Sequence, residues 1–365
     1  MQKQLHVALV YNIRPEQSSA EVEEEGGRRG NGDAQTDVAS EVKARATKSD
    51  TYAEWDTEET ILAVESALKL HHTVTLIEAN EEAYQKLLAL QPDIVFNIAE
   101  GFSGPSREAQ IPAILELLGI PYTGSDPVTL GICLDKSRTK EILSYHKIAT
   151  AEFVFADSVE KLANVDIPLP ALVKPLHEGS SKGIRDSSVV RTRQALIQKV
   201  KEVLVEYKEP ALVEKYLDGR EFTVALLGNG NDLQVLPVVE LRFDFLPKGV
   251  NRIYSYEAKW VWDQADHPIE LLECPARITQ TLEEEIQSTC RKTFDVLRCR
   301  DWCRIDLRLD DKGIPHVLEV NPLPGILPNP TDHSCFPKAA RAAGFDYNSM
   351  ILAVLENAIQ RYNLV

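Results

Sequence analysis

Three oxygen-bearing side chains near the C-terminal end make the strongest chemical pattern in the chain: Asp306, then Glu319 and Asn321. Segment 301–309 (DWCRIDLRL) and segment 315–321 (PHVLEVN) read as strands joined by a turn at 310–313 (DDKG), so they pair as a hairpin. Side chains in a strand alternate with period two, which sets Glu319 and Asn321 on one face and lets Asp306 converge with them from the other strand. Hard oxygen ligands in small number suit Mg2+ (or Mn2+), an ion that keeps part of its water and bridges nucleotide phosphates. Alone the pattern is weak, because acidic residues near hairpin ends are usually solvated. Arg304 lies two residues before Asp306 on the same face, with Arg300 and Arg308 flanking it. A fixed cation beside such a cluster supplies charge for a developing anion. The chain then turns through 321–325 (NPLPG), where Gly325 brings a backbone N–H close to substrate unless the segment is only a Pro-rich turn.

A second set lies earlier. Segment 174–183 (KPLHEGSSKG) is a strand end followed by a loop of small residues. Gly, Ser180 and Ser181 let N–H groups and hydroxyls approach phosphate oxygens, and Lys174 and Lys182 add charge. The same letters also describe an ordinary flexible turn. Glu214, Lys215, Tyr216 and Leu217 form an extended segment able to offer backbone groups and a carboxylate to an adenosine moiety.

The elements that must position these groups begin with segment 5–11 (LHVALVY), a continuous apolar run of the kind that forms a buried parallel strand. A polar, strongly charged stretch over 14–59 reads as a mobile insertion. Asp56 or Thr57 then caps a helix with Glu58 and Glu59 in its first turn. Strand 74–79, a helix to about 90 and strand 93–99 complete a β-α-β-α-β series, hence a doubly wound parallel sheet. A helix over 108–118 and one helix from about 126 to 145 follow, with a boundary near 148–153. Beyond it, short strands and a helix around 194–206 imply an α+β unit; Gly228–Asn231 reads as a hairpin turn, not a dinucleotide fingerprint. Helices at about 280–297 and 347–362 complete the order.

Composition narrows the function. The chain has 365 residues, 44% hydrophobic and 26% charged, enough for two or three domains. A formal charge of −16 argues against nucleic acid and against anionic lipid as partners. The six cysteines show no CxxC pair, so neither a disulfide framework nor a zinc site is expected. The N-terminus carries no apolar signal region, and no window approaches the ~18 apolar residues of a membrane span. A cytoplasmic location is expected.

The order of motifs resembles the D-alanine–D-alanine ligases of the ATP-grasp type from about residue 93 to the C-terminus. The match is carried by GIPYTGSD (119–126), LDKSRTK (134–140), LVKPLHEGSSKG (172–183), EKYLDGREFTV (214–224), YSYEAKW (254–260), RIDLRLD (304–310), LEVNPLPG (318–325) and SCFPKAARAAGF (334–345). The resemblance implies an N-terminal unit over 1–125, a central unit over 126–217 and a catalytic unit over 218–365, with ATP clamped between the last two. It implies that Lys136, Lys174 and Ser181 contact phosphates, that residues 214–217 hold adenine, that Glu221 holds ribose, and that Lys259 approaches the γ-phosphate. Arg304 and the Gly325 amide would stabilise a tetrahedral oxyanion, Ser180 would act beside them, and two Mg2+ ions would sit on Asp306, Glu319 and Asn321. The implied activity is ATP-dependent joining of two amino acids in peptidoglycan synthesis, by a homodimer.

The departures concern the amino-acid side. The family's first motif carries a Glu that binds the substrate amine; here residues 11–16 read YNIRPE before the insertion, and no equivalent Glu can be assigned. The family's His stands as Glu100, its loop Tyr as Trp260, and the stretch before Ser334, expected to hold the acceptor carboxylate, is longer than usual. A different donor or acceptor, or a nucleotide-binding protein without ligase chemistry, is therefore an open alternative.

Overall fold

A computed structural model describes residues 3–15, 52, 54–163, 165–246, 249–255 and 271–364. Strand β1 (His6–Tyr11) lies between β2 (Thr73–Glu78) and β3 (Ile94–Asn97) in a parallel sheet of order β2-β1-β3. Its unbroken apolar run serves two faces. Val7 and Leu9 pack with Ile61, Val64 and Leu68 of α1 (Glu58–Leu68). Ala8 and Val10 pack with Leu87 of α2 (Ala83–Leu90) and Leu115 of α3 (Gln110–Leu118). Burying each large aliphatic side chain contributes about 1.5–3 kcal/mol, so the alternation of a single strand fastens helices to both sides of the sheet.

Of the insertion expected over 14–59, residues 16–51 and 53 lie outside the described residues. Its end is built into the fold. Asp56 bridges Ile13, Arg14 N–H donates to the Asp56 carbonyl at 2.8 Å, and the Thr57 hydroxyl caps α1 by accepting from the Thr60 N–H at 3.3 Å.

The helix expected over 126–145 is two helices, α4 (Pro127–Leu134) and α5 (Lys136–Tyr145). Asp135 breaks them: its backbone is extended, and its carboxylate accepts from the N–H groups of Ser137 and Arg138 at 3.0 and 3.1 Å. Asp at an N-cap competes with helix continuation by this bond. The break makes Lys136 the first residue of α5 and buries it.

Strands β4 (Phe153–Ala156), β5 (Ala171–Pro175), β6 (Val189–Val190) and β7 (Ala211–Lys215) form an antiparallel sheet of order β4-β7-β5-β6, covered by Leu196, Val200 and Val203 of α6 (Arg193–Glu206). The third sheet contains β8 (Glu221–Leu227), β9 (Gln234–Val235), β10 (Val239–Leu241), β11 (Leu272–Glu273), β12 (Trp302–Leu309) and β13 (Pro315–Asn321). Its order is β11-β10-β8-β12-β13, with β9 beside β8. Helix α7 (Gln280–Leu297) buries Ile286, Cys290 and Phe294 against one face. On the other face Trp302 meets Phe336 of α8 (Cys335–Ala342) and Phe96 of β3 edge to face, at 5.7 and 5.8 Å. Helix α9 (Tyr347–Tyr362) returns to the first sheet through Met350, Val354 and Ala358, beside α1. Among the described residues no helix is long and apolar enough to cross a membrane.

Candidate active site

Strands β12 and β13 place Asp306 directly opposite Glu319 and Arg304 opposite Asn321. The register shifts after Asp306, so that Leu307 pairs with Val317. Val317 and Glu319, two residues apart, would share a face in a regular strand; the extra residue turns Val317 into the core and leaves Glu319 in the site. The Arg304 guanidinium donates to Asp306 through Nε at 3.2 Å and Nη2 at 3.0 Å, and lies 3.7 Å from Glu319. Asn321 Nδ2 reaches Asp306 and Glu319 at 3.3 and 3.4 Å, and the Thr223 hydroxyl from β8 donates to Asp306 Oδ1. Lys136 Nζ is 3.9 Å from Glu319. Burial raises the Asp306 carboxyl despite Arg304. Burial also acts upward on Glu319, but Lys136, Lys174 and Arg304 outweigh it and hold that carboxyl below its ordinary value. The donor set is two carboxylates and an amide rather than a trio of His, Cys, Asp or Glu, of which none with metal-holding geometry occurs among the described residues. Oxygen-only donors of this kind fit Mg2+.

Of the three arginines around Asp306, only Arg304 faces the cluster. Arg300 turns to Asp126 at 2.9 Å, and Arg308 donates to Glu221 at 3.0 Å and to the Tyr216 hydroxyl at 3.4 Å. Arg308 thereby braces the segment expected at adenine and ribose. Tyr216 and Leu217 are buried there, and Gly219 passes so close that a Cβ would lie 2.3 Å from the Leu309 carbonyl oxygen. Glu221, pushed up to about 7 by burial against the pull of Arg308, lies beside Asp306 and Glu319 electrostatically. Lys215 belongs to β7 by its backbone, paired with Ala171.

The Glu214 carboxylate is engaged within the protein. It is held by Lys174 Nζ at 2.8 Å and by Lys140 Nζ at 3.0 Å, all three side chains buried. Lys140, one helical turn after Lys136, was not singled out by motif reasoning.

After Lys174 the loop turns through Ser180 and Ser181, both with positive φ (50° and 61°). The Ser181 hydroxyl donates to the Tyr254 carbonyl at 2.7 Å, and Ser180 is exposed. Lys136 Nζ donates to the Glu178 carbonyl at 2.8 Å, and Lys182 pairs with the Glu178 carboxylate at 3.0 Å.

A carboxylate missing from the sequence reading stands against this loop. Glu54 Oε1 accepts from the Gly179 N–H at 2.7 Å, and its Oε2 accepts from Arg107 Nη2 at 2.7 Å. Glu100 and Glu108 lie nearby. Burial first, then Glu108, Glu54 and Asp56, raises Glu100 well above the ordinary carboxylate range, and Glu108 is raised to about 7 by burial and by Glu54. Lys259 and Trp260, expected at the γ-phosphate and the substrate, lie outside the described residues.

Gly325 is exposed, and among the described residues its N–H makes no hydrogen bond, as an oxyanion donor requires. Ser334 is spent on the same loop: its hydroxyl accepts from the Leu327 N–H at 3.1 Å and donates to the Gly325 carbonyl at 3.2 Å. A separate hollow of about 610 Å3, lined by Asp157, Glu160, Lys208 and Glu209 among others, contains none of the expected residues.

Comparison with known proteins accords with this geometry. Residues 141–356 match the family model described as D-ala D-ala ligase C-terminus. A D-alanine–D-alanine ligase of Chromohalobacter salexigens is 36% identical over 272 residues, 74% of this chain and 79% of that protein. The uncharacterized protein y4sG of Sinorhizobium fredii is 38% identical over 275 residues, 75% of this chain and 77% of that one. The crystal structure of the Bacillus anthracis D-alanine–D-alanine ligase complexed with ATP superposes with a TM-score of 0.65 at 21% identity, covering 99% of both chains, and so shares the fold. With more than half its length matched by the family model and relatives above 30% identity over three quarters of it, this chain belongs to the D-alanine–D-alanine ligase family of ATP-grasp enzymes.

Proposed function

We propose that the chain joins the carboxylate of one amino acid to the amine of another, at the site where Asp306, Glu319, Asn321 and Arg304 meet Lys136 and Lys174. ATP dependence follows from the family. The observation that carries the reading is the convergence of an oxygen donor set, a guanidinium and buried ammonium groups drawn from β12, β13, β5 and α5. In this reading Asp306, Glu319 and Asn321 hold Mg2+, which when bound neutralises charge on the transferring phosphoryl group. Lys136, Lys174 and Ser181 hold phosphates, the 214–217 segment and Glu221 hold the nucleoside, and Lys259 reaches the γ-phosphate.

The donor carboxylate oxygen takes the γ-phosphoryl group and ADP leaves; the amine then attacks the acyl carbon, its proton is lost and inorganic phosphate departs. Arg304 and the Gly325 N–H stabilise the oxyanion of the tetrahedral intermediate. Ser180 lies beside the donor, and Ser334 shapes the acceptor loop by fixing Gly325. D-Alanine is the first substrate to test for both positions. Glu54 with both oxygens engaged, and Glu100 where the family has His, favour a donor site that reads its amine differently, with Glu100 and Trp260 beside it. A homodimer is expected. The test is phosphate release from ATP and Mg2+ across D- and L-amino acids, with the ligated product weighed by mass spectrometry. Nucleotide binding without phosphate release for any pair would overturn the ligase reading.

A further inference from the structure

Three consecutive residues of the phosphate loop have a backbone group taken by a side chain from elsewhere in the chain. The His177 carbonyl accepts from Arg107 Nη2 at 3.0 Å, the Glu178 carbonyl from Lys136 Nζ at 2.8 Å, and the Gly179 N–H donates to Glu54 at 2.7 Å. Arg107 is common to two of these ties, because the same guanidinium nitrogen also donates to Glu54 at 2.7 Å and lies 3.7 Å from the Glu178 carboxylate.

We propose that Arg107 is a positioning residue, which straps the turn 177–179 to Glu54 and so sets the geometry of the phosphate loop. The proposal rests on the reading that loop 177–183 takes the phosphates of ATP. Arg107 is 9% exposed, so its charge is held by protein groups rather than by water. Its location is itself fixed: Gly101 packs against it with φ of 79°, and a Cβ on Gly101 would lie 2.3 Å from the Arg107 carbonyl oxygen. The 107–109 turn leads into α3, which packs on the first sheet, whereas the loop follows β5 of the second sheet. The strap therefore crosses between two units and carries the register of one to the other.

The residues after the strap show why the loop needs it. Ser180 and Ser181 both occupy the left-handed region, which costs L-residues free energy and persists only where neighbours impose it. Tyr254 holds the far side through the Ser181 hydroxyl, and His177 is held from behind by Glu209, whose Oε2 meets the ring Nδ1 at 2.8 Å. With Arg107 removed, Glu54 loses its counter-charge and the His177 carbonyl its donor. The near side of the loop is then free to leave the conformation that presents Ser180 and Ser181. Both bonds are charge-assisted, the stronger class, so their loss should weaken nucleotide binding about tenfold or more.

The test uses the full chain, with the non-hydrolysable ATP analogue AMP-PNP and Mg2+ titrated calorimetrically into wild type, Arg107→Met, Arg107→Lys, Glu54→Gln and the Arg107→Met/Glu54→Gln double variant. The strap predicts a loss of about tenfold in Arg107→Met, part of it recovered in Arg107→Lys, and a double variant no weaker than Arg107→Met alone. Wild-type affinity in Arg107→Met, or losses that add in the double variant, would overturn it. Should Arg107→Met fail to fold, Glu54→Gln decides: wild-type affinity there overturns the strap. Failure of wild type itself to bind AMP-PNP would remove the phosphate-loop reading and the strap with it, whereas binding by wild type with unchanged variants removes the strap alone.

Discussion

Glu214 lies between two ammonium groups with almost no water, and Lys140→Met should expose how much the fold depends on that arrangement. The substitution keeps an unbranched stem but removes the charge 3.0 Å from Glu214 and the bond from Lys140 Nζ to the Thr150 hydroxyl at 2.7 Å. That hydroxyl in turn donates to the Val317 carbonyl at 2.7 Å, so α5 loses its tie to β13. Removing one partner of a buried ion pair costs about 3–5 kcal/mol; with Lys174 still 2.8 Å away, the low end, about 3 kcal/mol, applies here. The pH dependence adds a second check. Burial alone would raise the Glu214 carboxyl, but Lys140 and Lys174 hold it down at about 2, against an ordinary value of 4.5. A folded-state value below the unfolded one gives stability that is present above pH 4.5 and lost as pH falls toward 2. The cost of Lys140→Met should therefore be full at pH 7 and much smaller near pH 3. Urea unfolding followed by tryptophan fluorescence, compared at equal slope, measures it. A loss under about 1 kcal/mol at pH 7, or an equal loss at both pH values, would refute the reasoning.

Asp56, raised to about 7 by burial, costs the fold more as pH rises from its unfolded value of 3.8 toward 7; Asp56→Asn should stabilise, and its gain should grow by about 2–3 kcal/mol between pH 5 and pH 8 in thermal melts. Gly183→Ala sets a Cβ 2.4 Å from Pro175 at a φ of 76°, so it should cost about 1–3 kcal/mol in chemical unfolding and weaken AMP-PNP binding along with it. Arg361→Met leaves the fully buried Asp301 without the guanidinium that donates to both its oxygens at 3.1 and 2.7 Å, and should lower stability by about 3–5 kcal/mol by the same assay.

The parts of the site written in short segments were legible. The Asp306 hairpin, the Lys174 loop and the 214–221 segment each declare themselves within about twenty residues or fewer, and strand period places the side chains of the hairpin. What escaped depends on breaks in period or on distance along the chain. Asp135 divides one apparent helix because its own carboxylate caps the next, and only that break turns Lys136 inward. The irregularity after Asp306 turns Val317 to the core without any glycine to mark it. Glu54 was hidden by the insertion, since counting forward from β1 reaches Glu16 first; counting back from the Thr57 cap would have found a carboxylate three residues before it. Glu214 illustrates a different limit: its identity fitted the expected adenine contact, while its charge is consumed by two lysines whose partnership no local pattern announces.

The central claim, that Asp306, Glu319 and Asn321 hold the ion of an ATP-dependent ligase, is tested most directly by crystals grown with Mn2+ and ADP and measured for anomalous scattering. The account predicts an anomalous peak within ligand distance of those three side chains and of the ADP phosphates, absent in Asp306→Asn crystals. ADP bound between β7 and β13 with no peak at these residues, or with the peak elsewhere, would contradict it.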